Sequence, residues 1–181
     1  MKKITLFLVL LSSYLYADAG LYVGIGGGGY WENFTKDNLK SSSAMGALKI
    51  GYGDRKRYSI ELSIDYLKND STIFSSSGED GDKFGFNVAL IKAFDFHYLY
   101  PYMKAGFGSG LLTIQRELQT SLSYGSYNLA TGAFIPLNKT LDLELSYEYR
   151  YNTYQGVNTI SQRVRYESHI NIFYSGINIR F

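Results

Sequence analysis

The sequence predicts an all-β chain, an eight-stranded antiparallel up-and-down transmembrane β-barrel. Three observations carry this reading. Two segments alternate apolar and polar residues strictly over about ten positions, the length a tilted strand needs to cross a hydrocarbon layer. The connections between apolar-faced segments alternate between short and long, the rim asymmetry of a membrane barrel with short periplasmic turns and long extracellular loops. Aromatic residues on the apolar face crowd both segment ends, where amphipathic rings settle at membrane interfaces.

Composition narrows the function classes. The 181 residues include 18 Tyr, 19 Gly, only 2 Pro and no Cys. Without Cys there is no disulfide framework, thiolate metal site, cysteine nucleophile or lipidated N-terminal cysteine. Eighteen basic against 16 acidic residues leave a formal +2, which argues against a nucleic-acid partner. Beyond the first dozen residues no apolar run approaches the roughly 18 that a membrane helix needs.

The chain opens like an export signal. Lys2 and Lys3 form a basic start and Ile4 to Leu11 an apolar run. Ala17-Asp18-Ala19 supplies the small residues a signal peptidase reads, so residues 1–19 are expected to be removed and 20–181 to form the barrel.

The clearest strand is the third, Tyr58 to Leu67, with Tyr58, Ile60, Leu62, Ile64 and Tyr66 on one face. The seventh repeats it, Leu141, Leu143, Leu145, Tyr147, Tyr149 and Tyr151 opposing Asp142, Glu144, Ser146, Glu148 and Arg150. Weaker copies place Leu21, Val23, Ile25 and Trp31 on the apolar face of the first strand, and Leu48, Ile50 and Tyr52 on the second. The fourth gives Phe84, Phe86, Val88, Leu90 and Phe94, and the fifth Leu99, Met103, Ala105 and Phe107. The sixth gives Tyr127, Leu129, Ala133 and Ile135, the last Phe173, Ile177, Ile179 and Phe181. Short connections fall at 53–57, 95–98 and 136–139. Long ones follow the first, third, fifth and seventh strands, centred near Lys36, Gly78, Gln119 and Asn158. A soluble barrel of lipocalin type would turn the apolar faces inward and would have no reason to sort its aromatics to two rims.

The signal segment, the strand number and the rim asymmetry resemble the small OmpA-type and opacity-type outer-membrane barrel proteins. "YPYMKAGFGSG", Tyr100 to Gly110, resembles that family's fifth strand. Tyr127 to Tyr151 resembles its sixth and seventh strands joined by a tight turn. The ending "YSGINIRF" is similar to the C-terminal signal read by the barrel-assembly machinery, with Ile179 where an aromatic is usual and Phe181 last. The resemblance implies a monomer in a Gram-negative outer membrane, with outer-membrane lipids and lipopolysaccharide as neighbours and assembly through the strand ending at Phe181. Because the N-terminus follows export and the strand number is even, both termini are expected to face the periplasm.

No cofactor is expected, and no catalytic, cofactor-binding or metal residue is assigned. Gly24-Ile25-Gly26-Gly27-Gly28-Gly29 matches the dinucleotide motif, but no helix follows, so these glycines are expected to make room inside a narrow barrel. Outer-membrane lipid A deacylases place a catalytic His two residues before a Ser, a spacing that neither His97 nor His169 satisfies. Ser168 beside His169 points to the other strand face. Glu79, Asp80 and Asp82 offer carboxylates for a cation such as Ca²⁺, with a solvated acidic loop the preferred reading. Arg163 and Arg165 are placed to meet lipopolysaccharide phosphates or solvent, and Arg55, Lys56 and Arg57 to be solvated in a periplasmic turn.

The charges Lys49, Glu61, Asp65, Lys104, Asp142, Glu144, Glu148, Arg150 and Arg180 share the inward parity, and only Lys92 faces out. Pairing Tyr52 with Tyr58 puts Lys49 opposite Glu61, and pairing Phe94 with Leu99 puts Ala89 opposite Lys104. A barrel this narrow is filled by its own side chains, so a plugged interior is expected. The function read from the sequence is non-enzymatic: envelope structure, or adhesin-like surface contact through the long loops with an unidentified ligand. The alternatives are a narrow porin-like channel and a lipid A-modifying enzyme.

Overall fold

Period-two sequence in lipid has one stable outcome. Every backbone N–H and C=O must find a partner, so the strands close into a ring without an edge. The computed structural model describes residues 19–35, 39–69, 71, 73–75, 80–116, 119–158 and 163–181, and the expected signal segment lies outside them apart from Ala19. The elements are β1 (Gly20–Phe34), β2 (Lys40–Gly53), β3 (Tyr58–Leu67), β4 (Lys83–Ala93), β5 (Tyr100–Arg116), β6 (Gln119–Pro136) and β7 (Leu141–Tyr154), followed by β8 (Val157–Asn158), β9 (Arg163–Val164) and β10 (Glu167–Arg180). Each of β1 to β6 pairs with the next, and β10 joins β7 to β1, closing an antiparallel barrel of eight strands. The closing seam runs from Tyr22 opposite Arg180 to Phe34 opposite Ser168. Strands β8 and β9 form a small hairpin in the connection between β7 and β10.

The apolar face read from the sequence is the outer wall in every barrel strand. Ile25, Leu48, Ile64, Leu90, Met103, Leu129, Leu145 and Ile177 are exposed large apolar residues at mid-strand. Trp31, Tyr66, Phe84, Phe107, Tyr127 and Tyr149 ring one end of this wall, and Tyr52, Tyr58, Phe94 and Phe181 the other. Lys92 also lies outside, its ammonium 4.0 Å from the Tyr58 ring centre, its stem along the wall and its charge at the rim.

The rim asymmetry is present, but part of it is strand where loop was expected. The connections after β1 and β5 are only residues 35–39 and 117–118. Strands β5 and β6 are 17 and 18 residues long, well beyond the roughly 10 that span a bilayer. Past Phe107 and Tyr127 their outer face turns mostly polar, with Ser109, Thr113, Ser121 and Ser123, while Leu112, Ile114, Leu122 and Tyr124 on the inner face become buried. These pack with Phe34, Phe74 and Tyr154 into an apolar cap over the extracellular mouth. The polarity of the two faces therefore reverses where the barrel leaves the membrane, as burial in water demands.

Both register expectations need correction by one pair step. Tyr52 faces Ile60, so Lys49 lies opposite Ser63 and Glu61 opposite Gly51. Ala89 lies opposite Gly106, and Lys104 opposite Ile91. The turns are tighter than assumed. Gly53 with φ 150° stays in the β2 ladder, and the Asp54 N–H donates to the Tyr58 carbonyl at 2.9 Å. A step of two residues preserves side-chain parity, which is why the faces were read correctly despite it.

Inward glycines face inward tyrosines. A β-carbon on Gly51 would fall inside the Tyr22 ring, and one on Gly132 would lie 2.8 Å from the Tyr102 ring. On the outer face, by contrast, Gly125 has nothing within 4 Å of a built β-carbon. Replacing Gly51 by Ala should therefore destabilise the folded barrel by about 1–3 kcal/mol through overpacking. Gly125→Ala should be neutral or stabilising by up to about 1 kcal/mol. Urea titrations of both variants refolded into vesicles measure the contrast.

Candidate functional site

The lumen carries the largest concentration of chemistry in the molecule. Among the described residues, five strand cations and Arg55 from the first turn meet six carboxylates. At the periplasmic end Asp142 accepts from Arg55 Nη1 at 3.0 Å and from Arg180 Nε. Above it Glu144 receives Lys49 Nζ at 2.9 Å, the Tyr102 hydroxyl at 2.6 Å and Asn178 Nδ2 at 3.0 Å. Glu61 accepts from the Tyr22 hydroxyl at 2.8 Å and lies 3.8 Å from Lys49 and 3.4 Å from Lys104. Lys104 reaches on to Glu148 at 3.3 Å. Arg150 bridges Glu148 at 2.6 Å and Asp65 at 2.7 Å. Under the cap Lys83 pairs with Glu32, which also accepts from Tyr154 at 2.8 Å and Ser168 at 2.6 Å.

All nine charges expected to point inward do so, and the Lys49–Glu61 ion pair exists. Its geometry differs from the expectation: Lys49 is bound most closely by Glu144, across the lumen on β7, and only secondarily by Glu61 on the neighbouring strand. The Lys83–Glu32 pair was not anticipated. Lys83 sits at a strand start and Glu32 next to Trp31, so neither stood within a clean alternating run. The space left among these side chains is a cavity of about 20 Å³ between Lys49, Asp65, Asn128 and Tyr174, room for about one water molecule.

The candidates outside the lumen separate. Gly24, Gly26 and Gly28 lie in the β1 ladder against β10, where a β-carbon on Gly24 would strike Asn178. That is the space-making role expected of them. His169 points outward, its Nδ1 2.5 Å from the Tyr149 hydroxyl, while Ser168 points inward to Glu32, so strand parity holds the two apart. His97 occupies the turn between β4 and β5 with φ 73°. Its N–H donates to Asp95 Oδ1 at 3.0 Å, and this bond, helped by Lys56, holds the exposed Asp95 carboxyl below its ordinary range.

Of the acidic trio, Glu79 lies outside the described residues. Asp80 is buried and accepts from Ser71 Oγ at 2.9 Å and from the N–H groups of Ile73, Phe74 and Ser75. Asp82 accepts from the Tyr66 hydroxyl at 2.5 Å and the Asn69 N–H at 3.1 Å. These two carboxylates organise their loop and seat Phe74 in the cap. The Arg163 side chain lies outside the described residues. Arg165 is exposed beside the extracellular rim. Arg55 is not simply solvated, since it enters the periplasmic mouth to reach Asp142, and Lys56 lies 3.4 Å from Asp95.

A closed antiparallel barrel with an apolar outer wall, two aromatic girdles and a charged interior is an integral outer-membrane barrel. The chain belongs to the outer membrane protein beta-barrel domain family, whose model matches residues 4–178, and this places it in the outer membrane of a Gram-negative bacterium. Its fold is similar to that of Neisserial surface protein A, NspA, at TM-score 0.68 and 15% identity, covering 91% of this chain and 100% of that one. It is also similar to Ail, the attachment invasion locus protein of Yersinia pestis, solved in complex with the heparin analogue sucrose octasulfate, at TM-score 0.55 and 17% identity with the same coverage. The N-terminal barrel domain of Pseudomonas aeruginosa OprF matches at TM-score 0.52 and 14% identity, again over 91% and 100%. No curated protein matches the chain in sequence.

Removing one partner from the lumen leaves the other charge buried alone. Glu144→Ala should cost about 3–5 kcal/mol, and the double change with Lys49→Ala should cost clearly less than the sum of the single changes. The same cycle between Lys49 and Glu61 should show weaker coupling. Urea midpoints of the refolded variants give both values.

Proposed function

We propose that this protein is a non-enzymatic outer-membrane barrel that supports the envelope or makes surface contact through its extracellular end, with its interior sealed. The observation that carries this reading is the lumen filled by three clusters of paired charges, around Asp142, around Glu144 with Glu61 and Glu148, and at Glu32, closed above by the cap around Phe74, Leu112 and Tyr154. A solute would have to break several buried ion pairs to pass, which disfavours the porin-like alternative. The lipid A-modifying alternative loses its nucleophile pair, because Ser168 and His169 face opposite sides of the barrel wall. What remains available to partners is the protruding β5–β6 hairpin and the connections around it. The same fold underlies a Neisserial surface protein and an attachment invasion locus protein, so surface contact lies within its repertoire.

Two measurements test the reading. In a planar bilayer the purified protein should give no stable porin-like conductance, and steady channels would establish the transport alternative. The natural chain has no cysteine, so single cysteines report topology cleanly. Thr120→Cys should react with a membrane-impermeant maleimide on intact cells, and Lys56→Cys only after the outer membrane is opened.

A further inference from the structure

At its periplasmic end the barrel opens into a pocket of about 330 Å³, lined by Gly20, Gly53, Arg55, Lys139 and Arg180 with Phe181 beside them. Gly20 pairs with Gly53, and Tyr22, on the same face of β1 as Gly20, pairs with Arg180. All share the inward parity, so the pocket is the mouth of the lumen and not a groove on the lipid-facing wall. Its inner end is shut by Tyr102 stacked on Phe134, ring centres 4.6 Å apart, and by the apolar cluster these rings form with Ile91, Ala93 and Tyr100. The side-chain charges around this mouth do not balance. Arg55, Lys56, Arg57, Lys139 and Arg180 stand against Asp54, Asp95 and Asp142, five cations to three carboxylates. Lys56 has Asp95 at 3.4 Å and Arg57 has Asp54 at 3.9 Å, while Arg55 and Arg180 share the single carboxylate of Asp142. Arg180 Nη2 is buried without an acceptor, and Lys139 makes no ion pair among the described residues. The surplus therefore falls on Arg55, Arg180 and Lys139, all of which line the pocket.

We propose that this mouth is a binding site for a doubly charged oxyanion of the periplasm, a dicarboxylate or a phosphate, entering along the barrel axis. The half-buried Arg55 and the exposed Lys139 offer the donors, with the Arg180 charge behind them. The guanidiniums are seated before a ligand arrives. Arg55 lies 5.3 Å from the Tyr100 ring centre, and Arg180 lies 4.8 Å from that of Tyr22 and 5.3 Å from that of Phe134. Rings on one side and the shared Asp142 on the other hold them in place, so little side-chain freedom is lost on binding. A guanidinium accepts carboxylate or phosphate equally well in bidentate geometry, and a surplus of two charges favours a dianion over a monoanion. The volume falls at the lower end of small-ligand pockets, roughly 300–1,000 Å³, which suits such an ion or the end group of a larger molecule. Because the lumen above is filled, the anion is held here and does not pass. The inference rests on the orientation that makes Lys56 periplasmic, but its test is made on solubilised protein and does not depend on that orientation.

The test uses the full barrel refolded in a non-ionic detergent, with succinate, propionate and inorganic phosphate as probes at constant ionic strength. Backbone amide and arginine side-chain NMR signals are the readout. Saturable shifts are expected at Gly53 and Arg55 with succinate and with phosphate, and none at Gly125 near the opposite end. Propionate, a monoanion, should bind about tenfold more weakly than succinate, the loss of roughly one charge-assisted hydrogen bond. Lys139→Gln should weaken succinate by a similar factor, as should Arg55→Gln, which leaves Asp142 its contact with Arg180. Lys139→Glu should abolish saturation. All three variants should keep their heat-modifiability on gels, which separates loss of the site from misfolding. A dipeptide with two carboxylates at its C-terminal end that matches succinate would make the ligand a peptide-borne dicarboxylate, whereas tighter binding of phosphate would make it a phosphate; both results support the site and differ only in its source. Shifts that do not saturate, equal affinity for succinate and propionate, or unchanged affinity in both Lys139→Gln and Arg55→Gln would overturn the proposal.

Discussion

An eight-stranded barrel has a lumen only as wide as its own side chains, and the rest of this structure depends on that constraint. Charged residues placed inward cannot keep their water, so each must find an opposite charge across the ring. Lys49, Lys104 and Arg150 each touch two carboxylates, and those carboxylates come from two strands, β3 and β7. The ion pairs therefore cross-link β2, β3, β5 and β7 through the centre, while backbone hydrogen bonds join neighbours around the wall. Breaking the registration of one strand would strand several charges at once. That is a strong physical reason for a single native register in a fold whose ladder alone would tolerate a shift by two.

The same narrowness explains the glycines. Tyrosines at Tyr22, Tyr102, Tyr124 and Tyr174 project into a space already occupied by charged side chains, and their hydroxyls or rings take part in that network. Tyr22 donates to Glu61 and Tyr102 to Glu144, while Lys49 sits 3.8 Å from the centre of the Tyr174 ring. Such rings fit only where the facing strand has no side chain, at Gly51, Gly132, Gly110 and Gly26. The apparent nucleotide motif in β1 belongs to this packing logic, with Asn178 and Tyr174 filling the space its inward glycines leave.

Function follows from where the two solvents meet the wall. Within the membrane the inside is polar and the outside apolar. Beyond the Phe107–Tyr127 level the same two strands carry mostly hydroxyls outside and an apolar core inside. The protein thus presents to the cell exterior a folded, capped projection and not an open mouth.

The number of barrel strands, the face each turns to lipid, the two girdles and the inward parity of nine strand charges were all legible in the sequence, because side-chain direction in a strand alternates with period two and needs no knowledge of neighbours. What tertiary structure alone decided is which charges meet. Glu144 displaces Glu61 as the closest partner of Lys49 because shear brings β2 and β7 to the same height across the lumen, a relation set by every register around the ring. The cap was equally hidden. Phe34, Phe74, Leu112 and Tyr154 come from four separate segments, and Phe74 is held there by N–H groups folding around the Asp80 carboxylate, an arrangement that no spacing along one strand announces.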